Sequence, residues 1–347
     1  MKVGITYDLR EDYLKQGLSF EEAAEFDVEE TIVAIAEALT EQGFTTQRIG
    51  NVYQVVRALS SGERFDFVFN IAEGRYGLAR ESQVPALLDA YQIPYVFSDP
   101  LTLAIALDKG MTKHILRDAG IKTAPFWVVN SKQDCEQVSR LLSYPVFAKP
   151  LAEGSSKGIH ENSAIFSEEE LWKVCANLLH RFKQPVLVEK FLSGREFTVG
   201  IVGTGDNAEV LGVMEIKIDS DKKEKFYCHS YKVGELCHQA SLHLVNDEAA
   251  KQAATIALSA WKVLRCRDGG RVDVRCDEKM VPHILELNPL AGLRPFYSDL
   301  VLIAGAAGLS YQDLLKRIVD SALMRFKYHS TNSAFYLQAF DEATDHP

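Results

Sequence analysis

The sequence predicts a mixed α/β and α+β protein in three parts: an N-terminal doubly wound parallel-sheet domain, a small central α+β domain and a C-terminal antiparallel-sheet domain. Three observations predict it. Short apolar strands alternate with amphipathic helices up to Leu107, as in a sheet covered by helices on both faces. The texture changes at Asp108, where a compact helix–strand unit begins. Beyond residue 194, strands are joined by hairpin connections such as "GTGDNA" and "DEKMVP". The expected domains are 1–108, 109–194 and 195–347.

The elements follow in order. "KVGITYD" is a first strand. "FDVEETIVAIAEALTEQGF" is an amphipathic helix, with Ile32, Ile35, Ala36 and Leu39 on one face and Gly43 as its stop. "TTQRIG" and "NVYQVVRALSSG" are a second strand and helix. "FDFVFNIA" is continuously apolar, as a buried parallel strand is. "SQVPALLDAYQ" is a helix and "IPYVFS" a further short strand. "DKGMTKHILRDAGI" is a helix ending at a glycine. "PFWVVN", "SKQDCEQVSRLLS", "PVFAKP", "EEELWKVCANLLHRF" and "PVLVEKF" build the central unit. "EFTVGIVGTGDNAEVLGVMEIKI", "GGRVDVRCDE" and "PHILELN" supply antiparallel strands, packed by the helix "DEAAKQAATIALSAWKVL". "SYQDLLKRIVDSALMRF" closes the fold, and the last residues form a loose tail.

Composition narrows the function. The chain has 347 residues and a formal net charge of -10, which disfavours general binding to nucleic acid or anionic membrane. The start lacks a signal-peptide pattern, and no stretch approaches the ~18 apolar residues of a membrane span. Six scattered cysteines suit a reducing, cytoplasmic compartment. Cys228–His229 and Cys237–His238 suggest zinc only superficially: neighbours on a strand face opposite ways and the ligand spacing is wrong, so a surface loop or hairpin is expected.

Two stretches carry chemistry. In "GGRVDVRC", Arg271, Asp273 and Arg275 share a face; in "HILELN", Glu286 and Asn288 share one with Ile284. Paired as a hairpin, Asp273, Glu286 and Asn288 converge beside Arg271. They form either a hard-oxygen Mg²⁺ site or a solvated, ion-paired face. In "FAKPLAEGSSKGI", a strand ends at Lys149 and passes into a glycine–serine loop. That loop either closes over phosphate oxygens or is a plain surface turn. It is not a Walker A loop, and "GTGDNA" is not a dinucleotide fingerprint. Glu73, Arg75, Arg80 and Glu81 follow a parallel strand, where open sheets bind ligands. They read a polar substrate or form an ion-paired helix start.

Together, "LDKGMTK", "VFAKPLAEGSSKGI", "VLVEKFLSGREFTV", "GGRVDV" and "LELNPLAG" resemble the D-alanine–D-alanine ligase branch of the ATP-grasp superfamily, and the likeness runs from the first strand to the closing helix. The resemblance implies an ATP-dependent carbon–nitrogen ligase that releases ADP and phosphate. It implies ATP with two Mg²⁺ ions, Mn²⁺ being able to substitute, and a homodimer. Lys109 and Lys149 would hold phosphates under a loop of Glu153, Gly154, Ser155 and Ser156, with Ser155 among the catalytic groups. Glu189, Lys190, Phe191 and Leu192 would sandwich adenine, and Glu196 would bind ribose. Asp273, Glu286 and Asn288 would hold Mg²⁺. Arg271 and the Gly292 N–H would stabilise an oxyanion, and Lys232 would reach the γ-phosphate from a mobile loop.

The departures from the family pattern lie at the substrate end. No "GG-x-S-x-E" opening is present; Glu25 is the positional match for its ammonium-binding glutamate, the other reading being a solvated residue near a helix start. "NPLAGLRPFYSD" replaces "N-T-x-P-G-M-T", which places Arg294 and Ser298 as carboxylate-binding candidates, with a surface arginine as the other reading. The expected partners are a small amino acid and an acyl or carbonyl acceptor. Retained ATP motifs with altered substrate motifs resemble the ligases that attach Ser, Thr or Gly to mycosporine-glycine, which implies secondary metabolism. The alternatives are a cell-wall D-alanine–D-alanine ligase, an L-amino-acid dipeptide ligase and a non-catalytic ATP-binding protein.

Overall fold

The computed structural model describes residues 1–218 and 240–326. The first sheet has the order β2-β1-β3, with β1 (Lys2–Tyr7) parallel to both β2 (Thr45–Gly50) and β3 (Phe67–Ile71). All five residues of β3 are buried, as its unbroken apolar run predicts for a strand covered on both faces. The Glu29–Glu41 helix buries Ile35, Ala38 and Leu39 against this sheet. The strand predicted in "IPYVFS" is reduced to one bridge between Val68 and Tyr95. The reason is local: Phe97 adopts φ +76° and its N–H is captured by the Asp268 carboxylate at 2.7 Å, which turns the chain off the sheet.

The central sheet is antiparallel, in the order β4-β7-β5-β6: β4 (Phe126–Val129), β5 (Val146–Pro150), β6 (Ala164–Ile165) and β7 (Val186–Lys190). The Lys132–Leu141 and Glu168–Phe182 helices cover one face through Cys135, Val138, Leu171, Cys175 and Leu178. The third sheet, β10-β9-β8-β11-β12, comprises β8 (Glu196–Val202), β9 (Glu209–Ile218), β10 (Ala240–Leu244), β11 (Gly269–Cys276) and β12 (Pro282–Asn288). The Glu248–Val263 helix packs on it with Trp261 fully buried. On the other face the Asp299–Ala306 helix presses Ile303 against Gly200, where an added Cβ would come within 2.9 Å of Ile303 Cγ2.

The first and third sheets share one core. Ile5, Phe67, Phe69 and Phe97 pack with Leu293, Leu300, Leu314 and Ile318, so the predicted closing helix, found over 311–326, docks on the N-terminal sheet. Asp268 pins the junction, accepting from Phe97 N, Thr204 Oγ1 (3.1 Å), Ser321 Oγ (2.9 Å) and Arg325 Nη2 (2.5 Å). No helix among the described residues is long and apolar enough to cross a membrane. The expected tail, the Cys228–His238 segment and Lys232 lie outside the described residues.

Candidate active site

The β11–β12 hairpin forms as predicted, with one correction. Arg271 lies opposite Asn288 and Asp273 opposite Glu286, but Val274 lies opposite Ile284. Leu285 is thus an extra residue, a bulge, and it turns Ile284 to the buried face instead of the face of Glu286. Arg271 pairs through Nη1 with Asp273, and its Nε lies 3.7 Å from Asp299. Asn288 Nδ2 donates to Asp273 Oδ2 at 3.2 Å. Asp273 Oδ1 is buried without a hydrogen-bond partner. No cluster of three His, Cys, Asp or Glu side chains among the described residues could hold an ion, so a metal here would need the Asn288 amide beside the two carboxylates. That donor set, all hard oxygens with one buried oxygen left over, fits a divalent cation that keeps water or phosphate in its other positions.

Two lysines from the sequence motifs face this hairpin. Lys109 Nζ donates to the Glu153 carbonyl at 2.6 Å and lies 3.4 Å from Glu286. Burial would raise the Glu286 carboxyl, but Lys109, Lys149 and Arg271 outweigh it and hold it at about 2. Lys149, at the end of β5, lies 3.1 Å from Glu189 on β7. Burial alone would lower its pKa; Glu189 and Glu286 reverse that and keep it raised. Lys113 takes the other Glu189 oxygen at 2.7 Å and donates to Thr123 Oγ1 at 2.6 Å. Glu189 is therefore clamped between two buried ammonium groups.

A cavity of about 810 Å³ including its open mouth lies between the central and C-terminal sheets. Phe147, Phe191, Leu192, Ile216 and Leu285 form its apolar walls; Lys149, Ser155, Ser156, Glu189, Lys190 and Glu196 bring polar groups. Glu196 is held by Arg275 at 2.8 Å. The N–H groups of Lys190 and Phe191 are already bonded to Pro125 and Pro145 carbonyls. Ser155 and Ser156 adopt φ +49° and +58°, a left-handed conformation that costs ~1–2 kcal/mol per non-glycine residue. Strain of this kind concentrates at functional loops.

A second cavity, about 1630 Å³ including its mouth, opens towards the first sheet. The two cavities share Ser155, Arg271, Glu286 and Asp299 as a common wall. Glu25, Glu73, Asn288, Gly292, Arg294 and Ser298 all line the second one. Glu25 is not the open acceptor that its position suggests. Its carboxylate takes Arg80 at 2.9 Å, Lys157 at 3.2 Å and the Gly154 N–H. Burial opposes ionisation, yet the two cations hold Glu25 at about 2. Arg294 pairs with Glu30 at 3.0 Å, and its N–H donates to Ser298 Oγ at 2.9 Å. Of residues 73–81, Glu73 and Glu81 face the cavity, Arg80 joins Glu25, and Arg75 lies apart on Tyr13 and Tyr76.

Sequence reasoning missed Lys113, Lys157, Asp27 and Thr31. Lys113 had a signal, since it follows Lys109 by one helical turn and shares its face. Lys157 stands in the glycine–serine loop itself. Asp27 and Thr31 belong to a stretch without motif, so only the fold reveals them.

Comparisons with known proteins agree with this fold. The family described as "D-ala D-ala ligase C-terminus" matches residues 115–320. A D-alanine–D-alanine ligase of Bordetella petrii is 32% identical over 269 residues, covering 78% of this chain and 79% of that protein. The crystal structure of D-alanine–D-alanine ligase from Bacillus anthracis superposes with a TM-score of 0.72 at 22% identity, covering 95% of this chain and 99% of the other. The same enzyme complexed with ATP gives 0.70 at 21% identity, again covering 95% and 99%. The three-sheet architecture, with these relatives, defines an ATP-grasp carbon–nitrogen ligase. Within that class the chain belongs to the D-alanine–D-alanine ligase family, and it is an ATP-dependent ligase of that type.

Proposed function

We propose that the protein joins two small amino acids, D-alanine to D-alanine in the first instance, by activating the carboxylate of one with ATP. The observation that carries this reading is the common wall: Arg271, Ser155 and Glu286 border both the first cavity and the second cavity. A γ-phosphate entering from one side would meet a carboxylate entering from the other. The comparisons support this reading better than the mycosporine-glycine ligase implied by the altered substrate motifs.

In this reading adenine lies between Phe147, Phe191, Leu192 and Ile216, near the Glu189–Leu192 hinge. Because the Lys190 and Phe191 N–H groups are taken, the base must use Leu192 and the hinge carbonyls. Glu196 binds ribose in competition with Arg275. Lys149 leaves Glu189 for the phosphates while Lys113 keeps the carboxylate in place. Lys109 stays beside Glu286. Asp273, Glu286 and Asn288 would hold Mg²⁺, which offsets the charge of the transferring phosphoryl group. The 153–158 loop keeps water from the acyl phosphate. The amine of the second amino acid then attacks, phosphate leaves, and Arg271 with the Gly292 N–H stabilises the oxyanion. Arg294 and Ser298 orient the second carboxylate once Arg294 releases Glu30. The Asp273 and Asp299 pairs hold the Arg271 guanidinium in place before the reaction.

The test is phosphate release from Mg-ATP against D-alanine alone, single L-amino acids, and mycosporine-glycine with serine or glycine. D-alanine alone is expected to support turnover, and Arg271→Ala to lower kcat by ~10²–10³. Turnover with the mycosporine pair and silence with D-alanine refutes the proposal.

A further inference from the structure

Arg275 is a buried cation with no part in the phosphoryl transfer. It is 6% exposed and lies opposite Glu196 on β8 and opposite His283 on β12, so its side chain shares a face with both. Its Nη1 donates to Glu196 Oε2 at 2.8 Å, and its Cζ lies 5.2 Å from the centre of the Phe191 ring. Phe191 in turn stacks near Phe147, with ring centres 6.3 Å apart. Ser155, Arg271, Glu286 and Asp299 wall the first cavity towards the second. Phe191, Glu196, Ile216 and Arg275 wall it towards a third, which Lys149 and Ser155 do not line. Arg275 is thus in a wall that the second cavity does not share. In the nucleotide reading that is the base and ribose end, since the phosphates meet the other wall. An apolar side chain would line it without the cost of desolvating a charge.

We propose that Arg275 is a specificity-determining residue that couples recognition of the base to recognition of the ribose. The coupling rests on the nucleotide reading of the first cavity. A ribose hydroxyl that hydrogen-bonds Glu196 draws the carboxylate from Arg275, which costs free energy because the guanidinium is buried. A purine beside Phe147 and Phe191 returns a partner. Its π face meets a planar cation, and guanidinium groups stack on aromatic faces. Each half of the ligand therefore lowers the cost of binding the other, equally in both directions. A pyrimidine has a smaller face and gains less from the released guanidinium. The 2′-hydroxyl is thus worth more on a purine nucleotide than on a pyrimidine nucleotide.

Calorimetry tests this with ADP, 2′-deoxy-ADP, CDP and 2′-deoxy-CDP, each with Mg²⁺, on the wild type and on Arg275→Met. The variant keeps a long side chain and removes its charge. The readout is a quotient: the loss of affinity on removing the 2′-hydroxyl from ADP, divided by the loss on removing it from CDP. The wild type is expected to give about three- to tenfold, the scale of one cation–π contact, and Arg275→Met about one. A merely structural role would weaken all four nucleotides alike and leave the quotient unchanged. A quotient of one in the wild type overturns the coupling and leaves the nucleotide reading standing. A quotient that survives intact in Arg275→Met does the same. Should Arg275→Met not fold, Arg275→Lys, which keeps a charge opposite Glu196 without the planar face, takes its place with the same expected fall. A wild type that binds no ADP overturns the nucleotide reading, and the coupling with it.

Discussion

Lys113 shows how much of this site depends on a residue to which the sequence reading gave no role. It is 1% exposed, bridges Glu189 to Thr123, and lies 3.4 Å from the Ile284 carbonyl on the β11–β12 hairpin. Burial lowers its pKa, and Glu189 only partly restores it. Such a pair adds little net stability against an apolar replacement, but removing one partner strands a buried charge. Glu189→Gln, which leaves Lys113 and Lys149 both without their shared carboxylate, is therefore expected to lower unfolding free energy by about 3 kcal/mol, read from the urea midpoint. Adding Lys113→Met should return part of that loss, since it removes one of the two stranded ammonium groups. A double variant no more stable than the single one would show that Lys113 acts by packing alone. The same reasoning explains the sequence's reach at this scale. Lys149 was legible because it ends an apolar strand and opens a small-residue loop. The saturation of Glu25 was not, because Arg80 and Lys157 are 55 and 132 residues away in sequence and meet it only in the fold.

At the level of elements, periodicity carried the reading well. The buried strand over Phe67–Ile71, the Glu29–Glu41 helix and the β11–β12 hairpin all follow from apolar spacing. Two departures were invisible to it. The Leu285 bulge changes which side chains share a face without changing composition. The lost strand at Tyr95 depends on Asp268, which arrives from 171 residues further along to bind Phe97 N. The glycine–serine loop shows a local constraint of another kind. Gly158 has φ +73°, and a Cβ there would lie 2.5 Å from Pro150 Cγ and 2.8 Å from Phe182 Cε2. Gly158→Ala is expected to cost at least ~1 kcal/mol and to raise the KM for ATP, since the loop can no longer seat against Pro150. An unchanged KM would mean that the loop's shape does not govern nucleotide binding.

Over the whole molecule, the proposed function depends on two cavities that share one wall. The core shared by the first sheet and the closing helix fixes the second cavity against the third sheet, while the central sheet brings Lys149 and the loop from the opposite side. The central claim is that a carboxylate from the second cavity attacks phosphate from the first. It is tested most directly with D-alanine carrying ¹⁸O in its carboxylate, Mg-ATP and ordinary water. The account predicts one ¹⁸O transferred to each inorganic phosphate released, because the bridging oxygen of the acyl phosphate leaves with phosphorus. Phosphate free of ¹⁸O, with the label retained on the amino acid, would show that water attacks ATP and would contradict it.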